Sequence, residues 1–113
     1  MAAADGERVD PMFPQAFRME VDDGSTGAPV LRLYGELDLV SADAVQQALV
    51  AIARSAVVVD LTNLDFIDSS GLAALLRARR RIEEAGQHLE IRGARGATRR
   101  VFEAAGLADA LDD

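Results

Sequence analysis

Ser69 and Ser70 stand between Asp68 and Gly71, directly ahead of Leu72, Leu75 and Leu76, whose three-and-four spacing is that of a helix. Aspartate and serine are the residues a helix start selects, because their side-chain oxygens accept from first-turn N–H groups that have no partner inside the helix. Capping is the plainest chemistry for them. A serine on a strand-to-helix turn also matches the setting of a hydrolase nucleophile. That arrangement wants glycine two residues before the serine, where this chain has Ile67 for Ser69 and Asp68 for Ser70. The one available base, His88, opens a later strand. The residues therefore argue for a protein that is not an enzyme. With no cysteine and one histidine, disulfides and thiolate metal sites are excluded and a histidine metal cluster is disfavoured. Gly93-Ala94-Arg95-Gly96 is too short, and wrongly spaced, to cradle a nucleotide phosphate, so no cofactor is expected.

The serines need a strand before them and a helix after them. Val57, Val58, Val59 and Leu61 form an apolar run too continuous for a half-wet strand, which predicts a strand inside a sheet and covered on both faces. The helix after Ser70 can run to about Ala85, where Gly86 supplies a left-handed stop. Upstream, Phe17, Met19 and Val21 alternate with charged residues, and Val30 to Tyr34 follows a turn-rich stretch, which predicts two adjacent strands. Gly35 and Asp38 read as the end of the second strand. Ser41 offers an N-cap, with Asp43 as an early acid, for a helix turning Val45, Ala48, Leu49 and Ile52 inward and ending near Arg54. Beyond the central helix come a short strand at His88 to Arg92 and a helix at Ala97 to Ala105 capped by Gly106. The order β-β-α-β-α-β-α predicts one α/β domain over residues 16–113, a small mixed and mostly parallel sheet with helices packed on it. Residues 1–15 hold Pro11, Pro14 and no sustained period, and read as a flexible arm.

Net charge is −7, from 19 acids and 12 bases, every base being arginine, which disfavours nucleic acid as a partner. The arginines cluster at Arg77, Arg79, Arg80 and Arg81 and again at Arg92, Arg95, Arg99 and Arg100, and such runs on helices are usually solvated faces. No apolar run approaches the roughly 18 residues of a membrane span, and the start is acidic where a secretory signal would be basic, so a cytoplasmic protein without membrane contact is expected.

Two separated motifs, Gly35-Glu36-Leu37-Asp38 and Asp60-Leu61 through Phe66-Ile67-Asp68-Ser69-Ser70-Gly71-Leu72, with a weaker echo in Arg100 to Leu107, resemble those of a STAS domain, specifically the anti-sigma factor antagonist family. The resemblance spans residues 30 to 107 and implies a STAS-like fold. It also implies a bacterial partner switch. The unphosphorylated antagonist binds a serine-kinase anti-sigma factor and frees the sigma factor, phosphate on one serine ends that binding, and a phosphatase restores it. The serine that matches the family's acceptor is Ser69, the one directly after the aspartate. Asp38 matches the family's acid near the contact surface, and Asp68, Ser70 and Gly71 are expected on that surface too. The alternative within the family is a scaffold or nucleotide-responsive module that signals without phosphorylation.

Overall fold

The computed structural model describes residues 16–25 and 27–112; the expected arm, residues 1–15, lies outside them. Along the described residues come β1 (Arg18–Asp22), β2 (Val30–Leu37), α1 (Leu39–Ile52), β3 (Ala56–Asp60), β4 (Leu64–Ile67), α2 (Ser69–Glu84), β5 (His88–Arg92) and α3 (Gly96–Ala104), then a 3-10 turn at Ala108–Ala110. The sheet order is β1-β2-β3-β5, with β4 also paired to β2. β1 is antiparallel to β2 at the side of the sheet, and the β2–β3, β2–β4 and β3–β5 pairs are parallel, as strands separated by helices require. The mixed sheet, its antiparallel edge and the helices packed on it agree with the expectation.

The order differs by one strand. β2 is long enough to pair with β3 through Val30 to Arg32 and then with β4 through Gly35 to Leu37. β4 was hidden because it is bulged: Gly35 faces Leu64 but Glu36 faces Phe66, so Asp65 is one residue too many. Leu64 and Ile67 therefore point into the core while Asp65 and Phe66 both face out, and the alternation that reveals a strand is lost. Gly35 does not end β2, as its sequence setting implied. It sits within the strand at φ +86°, where the register shifts, a conformation that glycine adopts without strain.

Val57, Val58 and Val59 are all buried, as their run implied, although the two faces of β3 differ. Val57 and Val59 join one hydrophobic core with Leu31, Leu33, Leu37, Leu75, Leu89, Ile91 and Phe102. Val58 lies outside that core, with Val30 and Glu90 as its cross-strand neighbours. Its face of the sheet carries charge: Arg32 reaches Asp22 at 3.8 Å and Asp60 at 4.0 Å, and Arg18 lies 4.0 Å from the centre of the Tyr34 ring. Arg18 also pairs with Glu20, which accepts from Tyr34 Oη, and those two bonds, the arginine's first, lower the Glu20 pKa.

α2 ends where Gly86 predicted. Gln87 N donates to Ile82 O at 3.0 Å and Gly86 N to Glu83 O at 2.9 Å, the paired bonds that close a helix through a left-handed residue, and Gly106 ends α3 in the same way. After α3 the chain returns to the free edge of β5. There Asp112 N donates to Ile91 O at 2.7 Å, and Ile91 N donates to the Asp112 carboxylate at 2.8 Å. Arg79 holds this tail in place, donating to Ala110 O at 3.0 Å and to Asp112 at 3.1 Å. An unpaired strand edge is thereby covered. Arg79→Ala is expected to cost about 1–3 kcal/mol, because it strips the Ala110 carbonyl of its side-chain donor and the Asp112 carboxylate of its charged partner. Urea unfolding checks this, with Arg79→Lys falling between the alanine variant and wild type.

Candidate functional site: the paired helix starts

Parallel pairing places Leu37 at the end of β2 beside Ile67 at the end of β4, so the residues that follow them, Asp38 and Asp68, emerge side by side from the same end of the sheet. Each aspartate caps a helix. Asp38 accepts from Val40 N at 3.0 Å, while Ser41 Oγ accepts from Asp38 N at 3.1 Å, a reciprocal capping box. Ser41 is thus the inner member of the box and not the N-cap that sequence spacing proposed. The helix begins two residues before it, at Leu39. Asp68 accepts from Gly71 N at 2.9 Å, and its own N–H donates to Leu37 O at 3.1 Å, tying the start of α2 to the end of β2.

With Asp68 as the cap, Ser69 is the first residue of α2 and is free of that duty. It is exposed, and its hydroxyl has no hydrogen-bond partner among the described residues. Ser70, half-buried, is likewise unbonded. Gly71 is buried beneath them. A Cβ there would stand 2.6 Å from Leu37 O, 2.7 Å from Leu37 Cγ and 2.9 Å from Ile67 Cγ1, so its place is in the packing of helix on strand and not on a contact face. Of the residues singled out by sequence, Asp38, Asp68, Ser69 and Ser70 thus meet at one end of the molecule, with Gly71 under them. His88 pairs with Ala56 at the start of β3, at the opposite end of the sheet, and offers Ser69 no base.

The early start of α1 brings two residues that sequence reasoning missed. Leu39 and Val40 occupy its first turn and are 75% and 91% exposed, unusual for large apolar side chains. The signal was available in Asp38 standing three residues before Ser41. Read as a capping box, that spacing moves the helix start upstream and turns Leu39 and Val40 outward. Leu39, Ala42 and Asp43 of α1 and Ser69, Ser70, Ala73 and Arg77 of α2 line a shallow groove of about 330 Å³. A larger hollow of about 400 Å³, beside Tyr34, Asn63, Asp65 and Arg95, contains none of Asp38, Asp68, Ser69, Ser70 and Gly71. Among the described residues no group of acids and histidines is arranged to hold a metal, and no helix is long and apolar enough to cross a membrane.

Residues 21–112 match the family model described as Mlab, STAS domain. Among solved structures, the chain is similar to an anti-sigma factor antagonist from Mycobacterium paratuberculosis, at 32% identity and a TM-score of 0.73 over 86% of this chain and 84% of that one. It is similar also to the anti-sigma factor antagonist SpoIIAA in its unphosphorylated form, at 25% identity and a TM-score of 0.69, covering 87% of each chain. The Bacillus cell fate determinant SpoIIAA in its phosphorylated form aligns at 27% identity and a TM-score of 0.61, over 87% of this chain and 90% of that one. No curated protein matches the chain.

Proposed function

The chain belongs to the STAS domain family, and from that premise we propose that it is an anti-sigma factor antagonist whose unphosphorylated form binds a serine-kinase anti-sigma factor, releases the sigma factor, and is switched off by phosphate on Ser69. The observation that carries this reading is the state of Ser69: exposed, unbonded and relieved of capping, in one groove with the exposed Leu39. A serine needed as a cap could not give up its oxygen without loss to the fold. This one can.

A phosphate on Ser69 adds about −1.5 to −2 charges and three acceptor oxygens at the positive end of the α2 dipole, which the fold tolerates. Its effect falls on the partner. Asp38 and Asp68 already stand at this end, so the phosphate deepens an acidic patch, and it brings a strongly hydrated group next to apolar side chains that a partner would cover. A disturbance of about 2–3 kcal/mol weakens binding by roughly 30- to 150-fold. A phosphatase acting on Ser69 would restore the binding form.

Asp38 serves two ends that substitution can separate. Asparagine keeps an oxygen for Val40 N, so Asp38→Asn is expected to stay within about 0.5 kcal/mol of wild type, whereas Asp38→Ala loses the cap and about 0.5–2 kcal/mol. Both should weaken partner binding. Thermal melts paired with calorimetric titration distinguish the contributions, and an Asp38→Asn variant that unfolds would make the acid structural alone. The function itself is tested by incubating the protein with ATP and each candidate serine-kinase anti-sigma factor from the same genome, then locating phosphate by mass spectrometry. The expected result is a single phosphate on Ser69; modification at Ser70 instead, or by none of the kinases, would contradict it.

A further inference from the structure

The groove that holds Ser69 continues past it. α1 and α2 follow strands that are parallel neighbours, so the two helices lie side by side and point the same way. Arg77 lines the first half of the groove with Ser69 and Ala73. It also lines a second hollow of about 250 Å³, bounded by Gln46, Arg80, Arg81 and Glu84. Its Nε donates to Gln46 Oε1 at 3.2 Å, from one helix to the other where the two halves meet. The halves differ in chemistry. The first presents Leu39, Ala42 and Ala73 beside the acids Asp38, Asp43 and Asp68, whereas the second sets three exposed arginines against the single acid Glu84, on a chain whose net charge is −7.

A solvated arginine run is the ordinary explanation of such a strip, and Arg80, paired with Glu84 at 3.6 Å on the surface, would fit it. It does not explain why these arginines continue, through the shared Arg77, a groove whose other half is lined by the exposed Leu39 and by Ala42 and Ala73. We propose that this groove takes a helical segment of the partner that is apolar where it meets Leu39, Ala42 and Ala73 and acidic where it crosses Arg77, Arg80 and Arg81. The partner's identity rests on the function proposed above; the polarity of the segment rests on the groove. Phosphate on Ser69 enters the apolar half, which Arg77 also borders, and leaves Arg80 and Arg81 outside its hollow. The switched-off state therefore keeps a weak, salt-sensitive contact along the arginines.

The test uses the full chain and a helical peptide of about 16 residues, matched to the roughly 24 Å length of α2, with leucines toward one end and glutamates toward the other. A second peptide carries lysine for each glutamate. Arginine Nε–Hε resonances report the contact. The glutamate peptide should bind saturably, shift Arg77, Arg80 and Arg81 while sparing Arg95 and Arg100, and weaken as salt rises. Combining Arg80→Glu with Arg81→Glu should weaken it by about tenfold, and the paired glutamine variant by less. Four results would each overturn the proposal: equal binding of the two peptides, equal shifts across all the arginines, wild-type affinity in the paired glutamate variant, or no binding at all. Because neither kinase nor phosphate is present, these outcomes are independent of whether Ser69 is the acceptor.

Discussion

Ser69→Asp is expected to weaken binding to the anti-sigma factor by tenfold or more while leaving the fold as stable as wild type, and Ser69→Ala to bind as wild type does and resist phosphorylation. The separation follows from Asp68 holding the cap, with its oxygen 2.9 Å from Gly71 N. Neither substitution removes a cap bond, so both should stay within about 0.5 kcal/mol of wild type in thermal melts. An aspartate at the first helical position gains from the helix dipole and loses to Asp68 beside it, two opposed terms of a few tenths of a kcal/mol each. What changes is the surface a partner meets. Aspartate carries less charge than phosphate, which is why the expected loss is smaller than the 30- to 150-fold expected for the phosphorylated protein. If Ser69→Asp lost stability in step with affinity, the serine would belong to the fold after all.

Gly71→Ala should produce the largest change in stability near the site, a loss of about 1–3 kcal/mol. The added methyl would lie 2.6 Å from the Leu37 carbonyl oxygen and 2.7 Å from Leu37 Cγ, so the start of α2 must lift from β2 to admit it. For a domain of this size each kcal/mol corresponds to about 4–8 °C in Tm. Gly27→Ala is the control, since a methyl there meets nothing within 4 Å and should leave the melting temperature nearly unchanged. Equal melting temperatures for the two variants would mean that the contact of helix with strand at Gly71 has slack that the geometry does not show.

Where a rule of residue choice acts alone, the sequence was enough. Gly86 and Gly106 end their helices because a left-handed stop selects glycine whatever surrounds it, and His88 to Arg92 forms the strand that its pattern described. Reading failed where two elements share residues. β4 is recognisable only from its partner, since the bulge at Asp65 destroys its alternation and Gly35, its counterpart on β2, looked like an end. Ser41 drew attention as a cap because serine favours that position, but a capping box distributes the work between Asp38 and Ser41, and the helix starts with the first of them. That error concealed Leu39 and Val40, the exposed apolar residues of the first turn of α1. Val58 illustrates a different limit: a continuous apolar run records burial on both faces without recording that one side is core and the other a charged sheet surface. For Ser69, Ser70, Asp68 and Asp38 the motif named the residues, while only the pairing of Leu37 with Ile67 explains why residues some thirty positions apart share one surface.

Phosphate on Ser69 is proposed to act on the partner and not on the fold. The most direct measurement is calorimetric titration of the anti-sigma factor that modifies Ser69 with wild-type protein, before and after stoichiometric phosphorylation, each preparation having been melted beforehand. The expected result is an affinity at least about 30-fold weaker for the phosphorylated protein, with a melting temperature equal to or above that of the unmodified chain. Equal affinities, or a phosphorylated protein that melts several degrees lower and loses binding in proportion, would contradict it.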